Sequence, residues 1–83
     1  MLYFRSKQQM ITRNQAVKMI ALARKHITNA PIGPLGVAAV TALNRADERL
    51  RQGYFDFARQ SAIVSLGYVY SDARVQQEIR TVH

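Results

Sequence analysis

Most residues of this chain that could do chemistry are cations, and they are unevenly placed along the sequence. The first 46 residues contain no Asp or Glu, whereas all five carboxylates lie at or beyond Asp47. The seven cations of this first part equal the whole formal net charge of +7, because the other five arginines balance the five acids. A distribution this one-sided draws anionic surfaces to the N-terminal half of the chain.

Six of these cations are candidate anion-binding residues. Lys18 and Lys25 are seven residues apart, so a helix places them on one side, with Arg24 on the flank. A face that only kept the protein soluble would usually include glutamates as well. The pattern is instead typical of phosphate contacts, which release counterions and give salt-sensitive binding. The predicted contact residues are Arg5, Lys7, Arg13, Lys18, Arg24 and Lys25.

The expected partner is nucleic acid, or alternatively an acidic protein surface. The sequence has no zinc-finger spacing, no RRM aromatic motif and no helix-turn-helix frame, so any base-specific reading element is missing from it. Binding to nucleic acid would therefore be directed to the backbone and weakly specific. The alternative is a helical interaction module, an adaptor or inhibitor, that uses aromatic anchors on an acidic partner.

Enzyme, metal and cofactor chemistry are not predicted. Catalysis needs converging acids, bases or nucleophiles, but the carboxylates here lie beside arginines on outer helix faces. Asp56 is interpreted as a helix cap and His26 as a residue of a polar helix flank. The chain has no cysteine, and its two histidines, His26 and His83, are too far apart to suggest a metal centre.

The elements that must position these residues are helices. Thr12 and Gln15 have the spacing of a capping box, Pro34 suits a first helical turn, and Gly53 suits the residue after a helix end. Apolar periodicity predicts three principal helices over about 12–28, 34–52 and 54–70. Ser71 and Asp72 open a shorter helix through Arg80, although one long helix over 54–82 remains an alternative. The expected fold is all-α, a small three- to four-helix bundle: an N-terminal arm, 1–11, precedes a single helical domain, 12–83.

Helical spacing also predicts the core and an interface. The expected core is Ile20, Ala23, Ile27, Ala39, Leu43, Ala46, Leu50, Ala58, Ala62, Leu66 and Val69. The third helix is apolar almost all round, so it must be covered on more than one side. A homodimer through this helix is one possibility, and coverage by the arm and the C-terminal segment is the other. The predicted interface residues are Phe57, Ile63, Val64, Tyr68 and Tyr70.

The expected location is cytoplasmic by default. No apolar run approaches the roughly 20 residues of a membrane span, and the start of the chain is not a secretory signal. An acid-free, amphipathic N-terminus also fits an organellar transit peptide. That alternative is disfavoured because residues 12–28 are predicted to form a core helix whose removal would leave too little to fold.

Overall fold

Four α-helices and a short 3-10 turn make up the described part of the chain. The structure is a computed structural model that describes residues 11–28 and 33–82. The elements are α1 Arg13–Thr28, α2 Pro34–Arg51, α3 Phe55–Gly67, α4 Asp72–Ile79 and the 3-10 turn Arg80–Val82. No strand occurs within these residues. The all-α prediction is confirmed, whereas the predicted arm, apart from Ile11, lies outside the described residues.

The predicted signals at the helix ends act as expected at α1 and α2. The Gln15 backbone N–H donates to Thr12 Oγ1 at 3.2 Å, and the Thr12 N–H donates to Gln15 Oε1 at 2.9 Å. This reciprocal pair is the capping box of α1. Pro34 opens α2. Gly53 follows its end with φ of +85°, a left-handed conformation that glycine adopts without steric cost.

Helix α3 begins at Phe55, next to the predicted start, but its N-cap differs from the prediction. Tyr54 is its N-cap residue and makes no side-chain capping bond, so the interpretation of Asp56 as a cap is wrong. Asp56 lies instead in the first turn, where a carboxylate still interacts favourably with the positive end of the helix.

Residues 54–82 form two helices rather than one. Helix α3 ends at Gly67, three residues earlier than predicted. The Ser71 hydroxyl then accepts a hydrogen bond from the Arg74 backbone N–H at 3.3 Å and caps α4, as predicted. The new helix direction allows α4 to turn back onto the bundle.

The core lies where α1, α2 and α3 meet. Helix α3 packs against both of the others, most extensively against α2, and α4 joins it through buried Val75. Most of the predicted core is buried, but Leu50 and Val69 are only half-buried at its edge. The predicted core left out several residues that are buried, namely Ala16, Met19, Ala42, Ser65 and Val75. No helix of the described residues is long and apolar enough to cross a membrane.

Candidate anion-binding surface on helix α1

The outer side of α1 carries two of the predicted cations. Lys18 and Lys25 are both exposed, and they line a shallow depression of about 400 Å³ between α1 and the 3-10 turn. Ala21 and Leu22 line it from α1, and Thr81 and Val82 line it from the turn. The structure therefore brings these two lysines to one surface with a partly apolar floor, which could hold an anion together with its organic scaffold.

Arg24 is in a different environment. Its Nη2 donates to both carboxylate oxygens of Asp47 in α2, at 2.9 and 2.7 Å. The pair is solvent-exposed, so its contribution to stability is small. Its consequence for charge is larger, because the Asp47 carboxylate compensates the positive charge of Arg24. Within α2, Arg51 pairs with Glu48, so Asp47 is left to bind Arg24 of α1.

Of the remaining predicted cations, one is exposed on α1 and two lie outside the described residues. Arg13 is exposed in the first turn of α1, and neither it nor Lys18 forms an ion pair with another described residue. Arg5 and Lys7 lie outside the described residues. Helix α1 itself contains no acid. The first 46 residues contain no acid, and the outer side of α1 accordingly carries cations without carboxylates of its own helix.

A polar network fixes the wall of this surface formed by the C-terminal turn. His26 Nε2 lies 3.1 Å from Glu78 Oε1, and its Nδ1 lies 3.2 Å from the Tyr70 hydroxyl. Arg74 completes the network, with Nε donating to Glu78 Oε2 at 3.0 Å and its guanidinium over the Tyr70 ring. Because Glu78 lies two residues before the start of the 3-10 turn, this network places Thr81 and Val82 beside α1.

Sequence analysis missed this role of His26. Its side chain is only 16% exposed, because it lies between α1 and α4 rather than on an open polar flank. The Arg74 hydrogen bond is the main cause that lowers the pKa of Glu78; desolvation opposes it, and the nearby His26 and Arg74 charges add to the lowering. The partners of His26 are 44 and 52 residues away in sequence, so no local pattern indicates them.

The predicted interface residues are divided between surface and core. Phe57, Val64 and Tyr68 are exposed, whereas Ile63 and Tyr70 are half-buried against the core of the same chain. Coverage of Tyr70 comes from α4 and His26. The C-terminal segment therefore covers one side of α3 and leaves the other side open.

Within the described residues no group of three or more His, Cys, Asp or Glu side chains could hold a metal ion. Comparison with protein-family models, with curated proteins and with solved structures finds no match for the chain. The chemistry of the surface must therefore be argued from its own residues.

Proposed function

We propose that this chain is a small, basic, non-enzymatic binding or regulatory protein that docks on an anionic partner, with nucleic acid favoured. The observation that supports it is the outer side of α1, where exposed Lys18 and Lys25 flank one depression on a helix without acids. Arg13 adds a third cation at the N-terminal end of the same helix, and Arg5 and Lys7 precede it in sequence.

A nucleic-acid backbone suits this surface because its charges are regular. Lys18 and Lys25 are seven residues apart, which is about 10 Å along a helix axis, or roughly three base-pair steps of a duplex. Each lysine can neutralise a phosphate and release its counterions. The contacts we propose are to phosphates, and phosphates carry no base sequence, so the binding is weakly specific.

The test is a salt titration of the full-length protein with a random DNA duplex, an RNA duplex and single strands of each. Log affinity should fall linearly with log salt, with a slope of about −0.9 per duplex phosphate contacted. The double variant Arg13→Glu, Lys18→Glu should bind far more weakly and show a slope shallower by about one unit for each lost contact. Both side chains are exposed, so circular dichroism should show an unchanged fold.

The matched control is Arg45→Glu, Arg59→Glu, which makes the same change in net charge on α2 and α3. It should retain most of the affinity if α1 carries the contacts. Equal losses in the two double variants would mean that only the overall field matters and would contradict the α1 surface. No binding of the folded protein to any of these nucleic acids at 50 mM salt would eliminate the proposed function.

A further inference from the structure

A second surface, on the opposite edge of α3 from Tyr70, is apolar and uncovered by the described residues. Tyr54, Phe57, Val64 and Tyr68 are 53%, 62%, 43% and 40% exposed. With half-buried Ser61 between them, they recur at alternating three- and four-residue steps. That spacing aligns side chains along one side of a helix and is the spacing by which helices pack on one another.

Helix α2 contributes a parallel row. Asp47 faces α1, because it binds Arg24 there. Residues turn by about 100° each in a helix, so Arg45 and Arg49 project from the opposite edge of α2, toward α3. The Tyr54 backbone N–H, which donates to the Arg49 carbonyl at 2.9 Å, joins the two rows at the loop. The α2 row has the same alternating spacing: Leu35, Ala38, Ala42, Arg45 and Arg49.

We call the two rows together the hairpin face. Its middle carries small side chains, Ala38, Ala42 and Ser61, and its ends carry larger ones, so a partner helix can approach the middle closely. Along the α3 row it extends 14 residues, which is about 21 Å or four helical turns. When two helices pack, the side-chain ridges of one lie in the grooves between the side-chain rows of the other.

The charge of the hairpin face is positive. Arg45 has no ion pair within the described residues, and Arg49 donates only to the Gln52 side-chain oxygen. Neither row contains a carboxylate. Asp56, the only acid of α3, lies about 100° around the helix from Phe57, on the side away from α2. Two arginines beside exposed aromatic rings match a partner that carries carboxylates next to apolar side chains.

We propose that the hairpin face binds an amphipathic helix of a partner protein, one with apolar residues at three- and four-residue steps and carboxylates along one flank. A second copy of this chain fits less well, since it would bring the same arginines against these ones and join two molecules of net charge +7. Single-stranded nucleic acid fits less well too, because between Phe57 and Tyr68 the α3 row offers only Ser61 and Val64, so successive bases find no continuous run of rings.

The test uses two synthetic helical peptides of about four turns with the same leucine stripe. One carries glutamates along a flank and the other lysines at those positions. We expect the glutamate peptide to bind the full-length protein, and the lysine peptide to bind at least about tenfold more weakly, by fluorescence anisotropy. Phe57→Ala should weaken binding of the glutamate peptide by roughly tenfold or more, as for a central aromatic anchor.

The charge pair provides a sharper variant. Arg45→Glu, Arg49→Glu should reverse the preference between the two peptides. Val37→Ala is the matched control for Phe57→Ala, because Val37 is also exposed, at 65%, but faces the groove between α1 and α2. Arg13→Glu, Lys18→Glu should leave peptide binding unchanged, so failure here is distinguishable from failure of the nucleic-acid proposal. Circular dichroism of each variant separates loss of binding from loss of fold.

Four results would overturn this inference. The first is equal binding of both peptides, or binding that Phe57→Ala does not change. The second is a dimer by light scattering that Phe57→Ala converts to monomer, which would make a second copy the occupant. The third is tighter peptide binding by Leu2→Ser, Tyr3→Ser, Phe4→Ser, which would make residues 1–10 the occupant. The last is loss of single-strand binding in Phe57→Ala.

Discussion

At the scale of single residues, the network around His26 joins α1 to α4 and to the segment that precedes α4. Each of the two ring nitrogens of His26 has one polar partner. Nε2–H donates to the Glu78 carboxylate, which can only accept, and Nδ1 lies 3.2 Å from the Tyr70 hydroxyl, which can either donate or accept. Both nitrogens are thereby satisfied in a region that is mostly shielded from water, where an unpaired polar group is costly.

The Tyr70 hydroxyl should therefore stabilise the fold measurably. Tyr70→Phe keeps the ring that packs edge-on against His26 but leaves Nδ1 without its partner, so the free energy of unfolding should fall by about 1 kcal/mol. Urea denaturation followed by circular dichroism measures this difference. Tyr68→Phe is the control, because Tyr68 is exposed and its hydroxyl has no hydrogen-bond partner among the described residues. An equal effect of the two substitutions would contradict the network.

Glu78 should make stability depend on pH on the acid side. Its pKa in the folded protein lies below the ordinary value of 4.5, chiefly because Arg74 donates a hydrogen bond to it. A carboxylate with a lowered pKa contributes stability that is fully present above its ordinary pKa and is lost as the pH falls through the lowered one.

The expected result is that Glu78→Gln flattens the acid limb of the stability curve. Between pH 5 and pH 3 the urea midpoint of the variant should fall less steeply than that of the parent protein. Arg74→Gln, which removes the main cause of the lowered pKa, should give an intermediate slope. Identical slopes in all three proteins would mean that Glu78 titrates alike in the folded and unfolded states.

At the scale of helices and turns, local sequence signals act where partners are close in the chain. The capping pair of Thr12 and Gln15, the N-cap at Ser71 and the left-handed Gly53 are each fixed by residues within four positions. These could be predicted because capping and turn geometry require particular side chains at fixed offsets. The end of α3 could not, since Gly67 is tolerated inside a helix and only the packing of α4 decides where the chain turns.

Two glycines at helix ends should respond oppositely to the same substitution. Gly53→Ala places a Cβ on a residue with φ of +85°, which should cost about 1–2 kcal/mol. Gly67 lies in the last turn of α3, and a Cβ added there would meet no atom within 4 Å apart from its chain neighbours and the backbone of its own helix. Gly67→Ala should stabilise by about 0.5–1 kcal/mol, because alanine loses less backbone entropy than glycine in a helix. Thermal or urea unfolding of both variants tests this; the same sign for both would contradict it.

At the scale of the whole molecule, the fold brings together cations and acids that lie far apart in the sequence. Periodicity predicted most of the core, since burial follows the helical repeat of Ala23, Leu43 and Ala62. It could not predict that Asp47 would face Arg24, because a contact across 23 residues depends on how α1 and α2 cross. Which side of α3 stays exposed likewise depends on how α4 packs against its other side, and this contact between helices leaves no local pattern in the sequence.

The excess of positive charge should make the fold more stable as salt is added. The described ion pairs are few and mostly exposed, so each contributes little and screening them costs little. A net charge of +7 on 83 residues opposes compaction by self-repulsion, and 0.1 M salt screens the repulsion between exposed charges that lie farther apart than about 10 Å. We therefore expect the thermal midpoint to rise between 10 and 300 mM sodium chloride.

The size of this rise should follow the charge. Arg13→Glu, Lys18→Glu lowers the formal net charge from +7 to +3, because each replacement removes one positive charge and adds one negative. Its thermal midpoint should start higher at low salt and rise less on adding salt, by calorimetry at matched protein concentration. A midpoint that falls with salt in the parent protein would show that attraction within the ion pairs outweighs the repulsion.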